Sequence, residues 1–95
     1  MTDEMIRTRL GEAALWEGAA EEAMEFGQQA LKMARILRRE NPTPATVPET
    51  CGKVIEEFTD VRIYTELLKL KPSAAIYQDK RRRLEARLEE TEVNR

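Results

Sequence analysis

The sequence predicts an all-α fold, a helical bundle of about four helices completed by homo-oligomerisation, and three observations carry that expectation. Apolar residues recur at helical spacing through long stretches, and no period-two alternation appears anywhere. The composition is 41% hydrophobic and 36% charged with 5% aromatic residues, as in helical proteins that expose dense charge. At 95 residues the chain has room for one domain and buries only roughly two-thirds of its unfolded surface alone, so assembly as a homodimer or homotetramer is expected.

The elements follow in chain order. Thr2 and Asp3 are caps for a first helix, after which Leu10, Leu15, Ala19, Ala23, Phe26, Ala30, Met33 and Leu37 mark one long helix or two abutting ones. Each glycine there weakens a helix by about 1 kcal/mol relative to alanine, which predicts a break between Gly11 and Gly18. The segment "ENPTPATVPE", residues 40–49, holds Pro42, Pro44 and Pro48, each disfavouring helix in the residue before it, so a connection over about 40–48 divides the chain. Thr46 then caps, and Pro48 sits in the first turn of, a helix carrying Val54, Phe58, Val61, Thr65 and Leu68 on one side. "KLKPSAA" ends it. Ser73 caps a last helix through roughly Glu90, whose apolar positions, Ile76, Leu84 and Leu88, are sparse.

Composition also excludes. A formal net charge of −2 and a pI near 5.3 give the molecule no overall pull toward nucleic acid or an anionic membrane. Cys51 is the single cysteine and there is no histidine, so neither an internal disulfide nor a zinc site of the usual Cys/His kind can form, and any bound metal must be held by oxygen. The charged start "MTDEMIRTRL" lacks the apolar core of a signal peptide, and no apolar run approaches the roughly 20 residues of a membrane span, so the expected compartment is the cytoplasm.

The informative feature is acidic. "EEAMEFGQQALK", residues 21–32, and "IEEFTDV", residues 55–61, each set carboxylates against an apolar stripe. At about 100° per residue, Glu22 lies about 40° from Phe26 and about 20° from Met33, with Glu25 about 60° to the other side. Glu57 is likewise about 40° from Val61 and about 20° from Leu68, with Asp60 about 60° away. If the two stripes pack as antiparallel helices, Glu22, Glu25, Glu57 and Asp60 converge. Like charges at such spacing repel and desolvation penalises each anion, so the site requires protonation or a cation. An all-oxygen donor set favours Mg²⁺, with Mn²⁺ as the alternative, and Mg²⁺ characteristically shares its shell with water and phosphates. The competing reading is that these acids form a solvated helix face; duplication of the pattern in both halves weighs against it.

These motifs resemble a known family. "EEAMEF" followed by "EEFTDV" is similar to the E-E-x-x-E and E-x-x-D signature of the MazG-like, all-α nucleoside triphosphate pyrophosphohydrolases, and the similarity spans about residues 15–88, with a Lys/Arg-rich final helix. The resemblance implies metal binding by Glu22, Glu25, Glu57 and Asp60 and hydrolysis of a nucleoside triphosphate between its α and β phosphates. Glu21 or Glu56 would hold a second ion or orient the attacking water. Lys32, Lys80, Arg83 and Arg87 would meet the triphosphate, the last three sharing a face at i, i+3, i+7 spacing or, alternatively, forming a solvated face supported by Asp79 and Glu85. Some family members carry asparagine where Leu84 stands here. Trp16, Tyr64 and Tyr77 are read as packing residues rather than base-stacking ones, and Cys51 and the methionines as apolar filling. Two further readings stay open: a non-catalytic helical interaction protein, and nucleic-acid binding through "KRRR" at 80–83, against which the negative overall charge argues.

Overall fold

A computed structural model describes residues 1–40 and 44–93; positions 41–43 of the expected connection lie outside the described residues. Among them the chain forms four helices and no strand: α1 (Asp3–Leu10), α2 (Glu12–Arg38), α3 (Val47–Leu67) and α4 (Ala74–Val93).

Each boundary has a local cause. The Thr2 hydroxyl accepts from the Met5 N–H at 3.2 Å and caps α1. Gly11, with φ 86° and ψ 157°, turns the chain between α1 and α2 in a conformation that side-chain-bearing residues avoid, which is why the break falls there and not at Gly18. Helix α2 ends through Arg39 in the left-handed region at φ 57°, which lets the Glu40 N–H reach the Arg35 carbonyl at 3.1 Å. Thr46 and Glu49 form a reciprocal capping box at the start of α3, with Pro48 in the first turn. The Ser73 hydroxyl accepts from the Ile76 N–H at 3.3 Å and caps α4.

Helices α2 and α3 form an antiparallel hairpin: Gly18 lies under Tyr64, and Phe26 meets Phe58 with ring centroids 5.9 Å apart, partner numbers falling as α2 advances. Helix α1 crosses the open end of the hairpin, and the Arg7 Nη1 donates to the Leu67 carbonyl at 3.4 Å. The core lies there, in Leu15 and Leu67. Helix α4 packs against none of the other three. The radius of gyration is consequently 17.6 Å, against about 12 Å for a compact chain of this length.

Burial corrects part of the expected apolar stripe. Leu15, Ala19, Phe26 and Met33 face α3, whereas Ala23 and Ala30 turn to a flank that no described residue of the protomer covers, and Leu10 at the end of α1 and Leu37 in the last turn of α2 are exposed as well. Ile76, Leu84 and Leu88 are exposed along α4, and Cys51 and Met24 are exposed rather than core filling.

Two glycines separate packing from propensity. A Cβ on Gly18 would fall 2.6 Å from the Tyr64 Cζ, whereas one on Gly52 would meet nothing within 4 Å. Gly52→Ala is expected to raise stability by about 1 kcal/mol through helix propensity alone. Gly18→Ala is expected to lower it by about 1–2 kcal/mol, because displacing the tyrosine ring outweighs that gain. Urea denaturation of the two variants checks both signs.

Candidate metal centre

The hairpin has two unlike sides. At about 100° per residue, Glu22, Glu25 and Lys32 lie to one side of the α2 contact stripe and Glu57, Asp60 and Lys53 to the same side of that on α3, while Ala23, Ala30 and Ile55 lie on the other. Packing the helices antiparallel therefore gathers the acids. One carboxylate oxygen each from Glu22, Glu25 and Glu57 lie within 4.8 Å of one another. Glu22 and Glu57 are half-buried and Glu25 is exposed.

The expected fourth member stands apart. Asp60, one turn along α3 from Glu57, is not within that 4.8 Å set, although its charge is felt there. Helical periodicity places Asp60 about 60° further round α3, and this rotation is enough to separate it from a cluster centred on Glu57.

Electrostatically the cluster is strained. The Glu22 carboxyl is held above the ordinary glutamate range first by desolvation and then by the negative charges of Glu25, Asp60 and Glu57. Glu57 is raised first by desolvation, then by contact with Glu25 and the charges of Asp60 and Glu56. One oxygen of each, Glu22 Oε2 and Glu57 Oε2, is enclosed without a hydrogen-bond donor. Ionised carboxylates have no proton to offer one another, so a shared proton or a cation is what relieves the arrangement. The orphaned oxygens and the all-oxygen donor set fit a hard divalent cation.

Both raised carboxyls favour the folded state most below the ordinary glutamate range and lose that contribution as pH rises through their raised values. In chelator, Glu57→Gln should therefore melt higher than the wild type near about pH 7, with the gap shrinking toward about pH 4. Melting curves followed by circular dichroism across that range decide it; a gap independent of pH would place Glu57 outside a desolvated cluster.

The other expected site residues are scattered. Glu21 and Glu56 are exposed, and Glu56 pairs with Lys53 at 3.4 Å. Lys32 is half-buried on the acid side, beside an open hollow of about 260 Å³ that Glu49, Thr50 and Lys53 also line. Lys80, Arg83 and Arg87 all lie on α4 and do not meet the acids within the protomer. Arg83 is engaged by Asp79 at 2.8 Å, as the solvated-face reading anticipates, and a neighbouring pair joins Arg81 to Glu85 at 3.2 Å. Sequence reasoning missed Lys53, Thr50 and Gln29. The Thr50 Oγ1 and Gln29 Oε1 are enclosed without partners on the side of the hairpin that bears the acids. The signal for Lys53 was its position one turn before Glu57; nothing in the sequence marks Thr50 as buried.

The chain matches no family model, no curated protein and no solved structure. Among the described residues, no helix is long and apolar enough to cross a membrane.

Proposed function

We propose that this chain is a Mg²⁺-dependent nucleotide pyrophosphohydrolase of the MazG-like kind, which cleaves a nucleoside triphosphate between its α and β phosphates as a cytoplasmic homodimer or homotetramer. The observation that carries the reading is the meeting of Glu22, Glu25 and Glu57 across two helices, with an enclosed, undonated oxygen on each of Glu22 and Glu57. These three would hold the ion, with Asp60 adjoining, and Mn²⁺ is the alternative metal. When bound, the ion neutralises charge on phosphate oxygens.

The chain's own residues have the remaining tasks. Glu21 and Glu56 each stand one position before a cluster acid, exposed to solvent, where a carboxylate accepts the proton of a water attacking phosphorus. Lys32 binds phosphate from the acid side of α2. Because α4 packs away from its own hairpin, Lys80, Arg83 and Arg87 serve a substrate only from the α4 of a neighbouring copy.

A second reading, a non-catalytic helical interaction protein, draws on the exposed apolar residues of α2 and α4. Incubating the protein with a panel of nucleoside triphosphates and Mg²⁺ and assaying pyrophosphate separates the two. Release from at least one nucleotide, lost in chelator, is expected; a flat panel selects the interaction protein.

A further inference from the structure

We infer that the outer face of α2 is the contact between two copies of this chain, their α2 helices packed antiparallel about a two-fold axis. Trp16, Ala20, Ala23, Gly27, Ala30 and Ala34 follow one another at alternating spacings of four and three, and Ala13 and Leu37 extend the same series in both directions. That is a heptad seam of eight positions with no charge in it. It is not the seam that meets α3, which runs through Leu15, Gly18, Phe26 and Met33. Trp16 is 49% exposed and Leu37 66% exposed, and beside the seam Met24 and Leu31 are each 63% exposed. With Leu15 and Leu67 as its buried hydrophobics, the protomer leaves more large apolar side chains outside its core than in it.

Gly27, at the middle of the seam, leaves room for close approach. Gly18 has its reason inside the protomer, in the ring of Tyr64, whereas a Cβ on Gly27 would meet nothing within 4 Å. A mid-helix glycine that weakens α2 without admitting any neighbour of its own chain suits a backbone arriving from outside.

What selects a second copy as that neighbour is self-complementarity. In one antiparallel register Trp16 faces the partner's Ala34, Ala13 faces the partner's Leu37, and Ala23 faces the partner's Gly27. Large residues then meet small ones at both ends, and the helices approach most closely at the middle. The flank of the seam agrees: the same register brings Met24 to the partner's Leu31 and Glu17 to the partner's Arg38. Beside the seam, acids lie toward the start of α2, at Glu12 and Glu17, and bases toward its end, at Arg35 and Arg38, so antiparallel pairing matches charge while parallel pairing opposes it. This contact uses the side of the hairpin away from Glu22, Glu25 and Glu57, so a neighbouring α4 that serves the acids belongs to a further copy, as in a tetramer. The contact stands whether or not the protein hydrolyses nucleotides.

The test is sedimentation velocity over a micromolar concentration series, with helicity followed in parallel. The wild type is expected to dimerise. Gly27→Leu has open space in the protomer and better helix propensity, so it is expected to stay helical while the dimer dissociation constant rises at least about tenfold. Glu17→Arg is expected to weaken the dimer roughly fivefold, and adding Arg38→Glu to restore it. A monomeric wild type overturns the inference, as does a dimer indifferent to Gly27→Leu or a charge swap with no rescue, either of which moves the contact elsewhere, the apolar stripe of α4 first.

Discussion

Replacing Glu57 with alanine is expected to lower Mg²⁺-supported pyrophosphate release at least about 100-fold, the scale seen when one group that stabilises transition-state charge is removed. On the proposed reading Mg²⁺ is expected to raise the melting temperature of the wild type, and the same substitution to abolish that rise. At a free Mg²⁺ concentration 100 times the dissociation constant that rise corresponds to about 2.7 kcal/mol, so its loss is easily read in a thermal melt. Glu57 is the sharpest choice because its oxygen is enclosed and undonated and because it alone represents α3 in the cluster. The apo and metal-loaded effects have opposite signs. Without metal, removing an anion from a desolvated group stabilises the fold; with metal, it removes a ligand. A variant that melts like the wild type under both conditions, with activity intact, would falsify the centre.

Leu67→Ala is expected to be the most damaging single change to stability. Leu67 is 5% exposed beside Leu15 at 3%, and its backbone carbonyl receives the Arg7 guanidinium that ties α1 across the hairpin end. Truncating a buried leucine costs about 2–5 kcal/mol, and a chain of this size has roughly 5–14 kcal/mol of stability in total. A fall in melting temperature of about 10–20 °C follows. The corresponding change at Leu84, exposed on α4, which packs against no other helix of the protomer, should be nearly silent in a monomer and is the control. Equal effects at the two positions would mean that α4 is packed in solution as firmly as the hairpin.

The acid cluster and the α2 face lie on opposite sides of one two-helix layer, and that division has a simple origin. A helix in a two-helix hairpin buries only the stripe facing its partner, leaving two flanks to be specified separately. On α2 one flank carries Glu21, Glu25 and Lys32, and the other Ala20, Ala23 and Gly27. Among the described residues no third layer covers the hairpin, so both flanks remain available for a ligand or a second chain.

Much of this was legible in the residues. Four helices, a break between Gly11 and Gly18, the punctuation at Thr46, Pro48 and Ser73, and the placing of Glu22, Glu25 and Glu57 beside the apolar stripes follow from interactions within a few residues of chain or from the angular period of one helix, and the approach of the three acids needs the further premise that the stripes pack antiparallel. Caps and prolines act locally, so no knowledge of distant contacts is needed to read them. The expectations that went astray concern distance between elements. Asp60 shares the acid side yet stands outside the cluster, and the bases of α4 share a face yet stay away from the acids, because a residue's angle on its own helix says nothing about where the next helix is placed. Which stripe of α2 is buried, why Gly18 rather than Gly27 is locked against Tyr64, and why Thr50 is enclosed were settled only by the packing of α1, α2 and α3, where side-chain volume decides what fits.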